Sequence, residues 1–259
     1  MFHAKASALR SADLSRQVGA VISSDEGSLI AVGTNEVPKA NGGLYWRGDD
    51  GDARDFQRNR NESHLMRRTT LGEILDKLRT SSYFDEKKTK GENIDSLIDS
   101  VMPIMKDTQL MDIGEFGRTV HAEMAALLDA SQRGAPVKGC TLFTTTFPCH
   151  NCTRHIIAAG IKRVVYIEPF PKSHAEKLHS DAIVVDSPTF VPNRVNFQPF
   201  VGVSPSRYIE FFTAVVRKAK DGSPAKFDKK SAVPRFSEKW QAPSTQQLKR
   251  KKLRNFERK

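Results

Sequence analysis

The sequence predicts an α/β fold, a layered sheet in which at least some strands pair in parallel. Two observations carry this prediction. Segments with helical and with strand periodicity alternate along most of the chain, and the strand-like segments are short, rich in Val, Ile and Thr, and bounded by Gly, Pro or Asp. At 259 residues, with 38% hydrophobic and 27% charged, the chain is long and apolar enough to bury a core.

The elements follow in order. Ala, Leu and Ser recur at helical spacing from Phe2 to Gln17, and Val18 to Ile22 then reads as a buried strand. Asp25-Glu26-Gly27 supplies a turn and Ser28 to Val32 a second strand, which makes a hairpin. Asn35 to Gly43 is loop, because Pro38 and the Gly42-Gly43 pair disfavour any regular element. From Arg47 to Gly117 the chain turns mostly polar, with two amphipathic stretches near Thr70–Leu78 and Ile94–Met105. It reads as a partly helical insertion on the surface. An Ala/Leu-rich helix begins at His121-Ala122-Glu123 and ends before Gly134. Thr141 to Phe147 is a strand that Pro148 ends, and Asn151 to Ala159 is a helix closed by Gly160. A strand at Arg163–Glu168, a short helix at Lys172–Ser180 and a fifth strand at Asp181–Asp186 follow. The last helix is expected from Tyr208 to Lys220.

The net charge of +11 suggests an acidic partner until its location is read. Of 41 Lys/Arg and 30 Asp/Glu, 15 and 4 lie in residues 217–259, leaving 26 of each before them. The body is therefore neutral. Residues 217–259 are expected to form a basic, largely disordered tail, in which Lys249 to Lys252 could touch nucleic acid or simply stay solvated. Three cysteines are too few for a disulfide scaffold and suit a reducing compartment with metal or catalytic use. No apolar run has the length of a signal peptide or a membrane span, so a cytoplasmic protein is expected. No G-x-x-x-x-G-K-[ST] loop occurs.

The chemistry concentrates in His121-Ala122-Glu123 and Pro148-Cys149-His150-Asn151-Cys152, each at a helix start. Zinc favours imidazole and thiolate in a tetrahedron, and a catalytic site keeps one position for water. His121, Cys149 and Cys152 would fill the other three, and the amides of a helix start favour thiolate. Glu123 is then left over as a ligand and available to move protons beside an acidified water. That is hydrolytic deamination, and H-x-E…P-C-x-x-C is a signature of zinc deaminases. Cys140 reads as a small buried hydrophobe, and His155, His174 and His179 read as surface groups.

These residues resemble the cytidine/deoxycytidylate deaminase superfamily. The deoxycytidylate branch pattern is matched by Arg10-Ser11 through Val21, by Gly33 to Pro38, by His121-Ala122-Glu123 and by Pro148 to Cys152. Glu115 to Val120, Phe147, Tyr166 to Ser173 and Phe200 to Tyr208 are similar to the deaminase domain of bacterial anti-phage dCTP/dCMP deaminases. The resemblance covers residues 1–216, with 47–117 as an insertion. It implies a three-layer α/β/α sandwich around a mixed five-stranded sheet and conversion of dCMP, dCTP or both to the deoxyuridine nucleotide with Zn²⁺. It further implies a role in anti-phage defence and a homo-oligomer. Asn35 would contact the sugar, and Arg16, with Arg10 or Arg118, would hold phosphate.

Two other readings remain open on the residues alone. A nucleic-acid-editing cytosine or adenine deaminase would use the basic tail for backbone affinity, against which the neutral body counts. A non-catalytic, zinc-stabilised binding module would need a fourth ligand where this sequence offers Glu123.

Overall fold

The computed structural model describes residues 1–81, 83, 93–112 and 116–209. The chain divides into a unit of residues 1–202 and a second of 203–259. Of the second, the described part is residues 203–209, with a 3₁₀ turn at Pro205–Arg207. The expected tail, and the expected last helix beyond Ile209, lie outside the described residues. Among the described residues, no helix is long and apolar enough to cross a membrane.

The first unit is built on a mixed sheet with strand order β2-β1-β3-β4-β6-β5. The strands are β1 (Gly19–Ser23), β2 (Leu29–Thr34), β3 (Thr141–Thr146), β4 (Arg163–Glu168), β5 (Ile183–Val185) and β6 (Val195–Pro199). β1 pairs antiparallel with β2 and β3, while β3, β4, β6 and β5 run parallel. The helices are α1 (Phe2–Ala8), α2 (Glu62–Thr80), α3 (Ile94–Val101), α4 (Ala122–Gln132), α5 (His150–Ala158) and α6 (Ala175–Leu178).

Pleat alternation assigns the two faces of the sheet. Ala20, Ile22, Leu142, Val164 and Phe197 bury one face against Ala122, Ala126, Ile156 and Ala175 of α4, α5 and α6. Each large side chain hidden there contributes about 1.5–3 kcal/mol. Gly19 belongs to the opposite face and meets α1: a Cβ on it would lie 2.0 Å from the Ala4 carbonyl oxygen. Gly33, cross-strand from Ala20 and so on the first face, meets α4 in the same way. A Cβ there would fall 2.0 Å from the Ala122 oxygen and 2.4 Å from the Ala126 nitrogen, so the first turn of α4 rests directly on the β2 backbone.

The insertion has a small core of its own, in which Leu71 and Leu75 of α2 pack on Ile98 of α3 and on Met111. Asn61 starts α2 by accepting the His64 amide at 2.9 Å, so the helix begins well before the expected Thr70.

Three sequence expectations are corrected. The sheet has six strands, not five: the additional strand is β6, which ends in Pro199. Its register is set by pairing with β4 and β5 and by buried Asn196, whose amide bonds the backbone of Val191 and Arg194. The first helix stops at Ala8, not Gln17, because Asp13 accepts the amides of Ser15 at 2.8 Å and Arg16 at 3.3 Å, a local turn that competes with helix. The short helix after Phe170 is confined to Ala175–Leu178. Ser173 bonds instead to the Pro148 carbonyl at 2.8 Å.

Gly33→Ala should lower stability by about 1–3 kcal/mol or more, because the new methyl meets rigid backbone. The check is a thermal melt of the full chain, and an unchanged melting temperature would show that α4 does not depend on this contact.

Candidate metal centre and catalytic cavity

Two helix starts converge. His121 is the N-cap of α4 and Cys149 the N-cap of α5, whose Sγ accepts the Cys152 amide at 3.4 Å. His121 Nδ1 lies 3.4 Å from Cys149 Sγ and 3.3 Å from Cys152 Sγ, and the three donor atoms fall within 4.8 Å of one another. Tetrahedral zinc, with bonds of about 2.0–2.3 Å, spaces its nitrogen and sulfur donors about 3.5 Å apart, so the donor set fits that ion in both chemistry and spacing.

The backbone that presents His121 is itself held. Val120 exchanges two backbone hydrogen bonds with Glu36, at 3.0 and 3.2 Å. The Glu36 carboxylate is buried and accepts the amides of Ala12 and Val37, each at 2.9 Å. Asp13 in turn accepts the Thr119 hydroxyl at 2.9 Å. The loop after α1 and the start of α4 are thus stitched together by two carboxylates.

The donor groups polarise one another. The Cys149 thiol is lowered to about 4, chiefly by its hydrogen bond with Cys152 and then by His121. His121 is raised to about 9 by its hydrogen bond to Cys149. Cys152 is pushed well up by its bond to Cys149 and by burial. Glu123 is only 4% exposed, and burial pushes its carboxyl up to about 7.

A cavity of about 390 Å³ opens beside these groups. His121, Glu123, Cys149, Thr146 and Phe147 line it from the sheet side. Asp13, Arg16 and Asn35 line it from the loops around β1, and Asp55, Asn61, Ser63, Arg67 and Met111 from the insertion. Phe147 is wedged against Tyr166 and Phe197, with ring centroids 4.9 and 5.3 Å away.

The comparisons with known proteins bear on this geometry. Residues 1–168 match the family model described as the cytidine and deoxycytidylate deaminase zinc-binding region. The chain belongs to that family.

Among curated relatives, ComE operon protein 2 of Bacillus subtilis (strain 168) is 45% identical over 67 residues, covering 25% of this chain and 35% of that one. The deoxycytidylate deaminase of Homo sapiens is 28% identical over 114 residues, covering 44% and 59%. The chain spans about a third of the length of the first curated relatives it matches. The solved dCMP deaminase of cyanophage S-TIM5, in complex with dCMP and dUMP, is 16% identical over 76% of this chain and 90% of that one, with a TM-score of 0.40.

The expected site residues are placed as follows. His121, Cys149, Cys152 and Glu123 come together, and Asn35, Arg16 and Arg118 line the same cavity. Asn35 accepts the Val18 amide at 2.7 Å and donates to the Arg16 carbonyl at 2.8 Å, so it shapes the turn that carries Arg16. Arg118 donates to the Ala53 carbonyl at 2.7 Å and to Asp55 at 3.0 Å. Arg10 is a correction: it stacks on Trp46 at 4.1 Å and lines a different cavity, between α1, β2 and α4, because the chain turns away after Ala8. Cys140 is buried in the core, as expected. The sequence did not reveal Asn61, Ser63, Arg67 and Met111 as cavity residues. The only local signal was Asn61 as a helix start, and nothing in it points at the cavity.

Cys149→Ser and Cys152→Ala should each lower bound zinc from about one per chain to a small fraction, because two donors do not hold the ion. Atomic absorption after dialysis reads this. Acid protonates the donors, so dialysis against a chelator should strip more metal at about pH 5 than at about pH 8, and equal loss would count against a thiolate–imidazole site.

Proposed function

We propose that this chain catalyses hydrolytic deamination of a deoxycytidine nucleotide, dCMP or dCTP or both, to the deoxyuridine nucleotide, with zinc held by His121, Cys149 and Cys152. One observation supports it above the rest: three zinc-type donors within 4.8 Å share a cavity with a buried carboxyl, Glu123, that is left over as a proton carrier. Zinc bound there supplies a water acidic enough to be a nucleophile near neutral pH. Burial raises the Glu123 carboxyl above the ordinary carboxylate range, which suits it to hold and release a proton. Glu123 can take one proton from the attacking water and place it on the pyrimidine N3. It can then take the second from the hydroxyl now on C4 and pass it to the amine, so that a C4–O bond replaces the C4–N bond and ammonia leaves. Phe147, fixed by its aromatic neighbours, offers a rigid apolar wall for the ring.

The polar end of the cavity suits the rest of a nucleotide. Arg16 has its guanidinium over Phe170 at 5.6 Å and makes no side-chain hydrogen bond among the described residues, which leaves its fork for phosphate oxygens. Asn35 is assigned to the sugar and Arg118 to a supporting role in the phosphate wall, where it also neutralises Asp55.

Ammonia release from dCMP, dCTP, cytidine and single-stranded DNA tests the assignment. Turnover is expected with dCMP or dCTP, and turnover confined to DNA, or to none, would refute it. Glu123→Ala should keep zinc and lose about 10²–10⁴ in rate, the contribution of a positioned acid–base group. The resemblance carries the proposal on to anti-phage defence. In that case phage plating should fall in cells expressing the wild-type chain and recover with Glu123→Ala.

A further inference from the structure

The inserted segment supplies an arginine to the catalytic cavity. Arg67, on the first half of α2, lines the same 390 Å³ space as His121 and Glu123. Two backbone carbonyls hold it: Nε donates to Ser63 at 3.1 Å and Nη1 to Met111 at 2.6 Å. Both partners are neutral carbonyls, so neither offsets the positive charge, and Nη2 donates no hydrogen bond among the described residues.

The other charges in the cavity sharpen this. Asp55 is paired with Arg118 at 3.0 Å, and Asp13 is occupied by Ser15, Arg16 and Thr119. Arg16 forms no ion pair among the described residues, and neither does Arg67. Two arginines of this cavity, Arg16 exposed and Arg67 half-buried, therefore lack a carboxylate partner among the described residues. A dianionic phosphate is the ligand group that matches them.

We propose that Arg67 is a specificity-determining residue that reads the phosphate of the substrate together with Arg16, so that the insertion selects nucleotides over nucleosides, an inference that rests on the deaminase function proposed above. The side chain is pre-aimed by its carbonyl contacts, which reduces the entropy lost when phosphate binds.

The test compares dCMP with deoxycytidine on the zinc-loaded full chain, both as kcat/KM and as affinity by equilibrium dialysis. In Arg67→Gln the preference for dCMP over deoxycytidine should fall about tenfold or more, the loss expected for a charge-assisted hydrogen bond. Arg67→Lys, which keeps the charge but not the fork that the two carbonyls hold, should lose less of that preference than Arg67→Gln. If both substrates lose equally, or the lysine variant loses as much as the glutamine one, Arg67 acts only through the fold and the proposal is overturned. Arg67→Met replaces the glutamine variant if the latter does not fold. Should the wild-type chain deaminate neither dCMP nor dCTP, the proposed function fails, while the affinity ratios still decide the role of Arg67.

Discussion

Three donor atoms stand close enough to share one small ion, and the packing of the elements that carry them sets that spacing. His121 and Cys149 begin two different helices, so the ligand spacing is set by how α4 and α5 pack on the sheet. α4 is placed by Gly33, whose missing side chain lets the helix backbone touch the strand. α5 is placed by the parallel β3–α5–β4 unit, with Ile156 buried beneath it. A helix start is also the one part of a helix whose amides lack partners, and the Cys149 sulfur uses that by accepting the Cys152 amide.

A second level of support comes from buried carboxylates. Glu36 binds the amides of Ala12 and Val37 through its side chain and Val120 through its backbone, and Arg54 approaches it at 3.9 Å. Arg54 is in turn clamped by Asp52 at 2.6 Å, whose carboxyl is held down to about 2 by that hydrogen bond. The start of the insertion is thereby anchored to the segments that present His121 and Arg16. This explains why a segment that reads as a solvated excursion lines the cavity: its near end is bonded to the segments around the site, and its apolar cluster reaches the cavity through Met111.

The metal donors and Glu123 were legible because their chemistry is written in local motifs, H-A-E and P-C-x-x-C, each beside a helix signal that only a few neighbouring residues are needed to read. The β1–β2 hairpin and the β3–α5–β4 unit were legible for the same reason, since periodicity and turn residues are local. β6 was hidden because its specification is non-local. A five-residue segment that ends in a proline becomes a strand by pairing with β4 and β5 on either side. The length of α1 was misread because Ala and Leu spacing continues past Ala8, whereas Asp13 draws the amides of Ser15 and Arg16 into a turn of its own.

By itself, the sequence determined which side chains can bind a soft metal, which carboxyl is spare, and which short segments are helix or strand, because propensity, capping and ligand chemistry act over a few residues. The tertiary structure decided which arginines share the cavity, turning Arg10 toward Trp46 and bringing Arg67 in from the insertion. No local pattern could have foretold that choice. It follows from backbone contacts between segments far apart in the chain, such as Arg67 with Met111 and Arg118 with Ala53, whose partners are carbonyl groups that every residue carries.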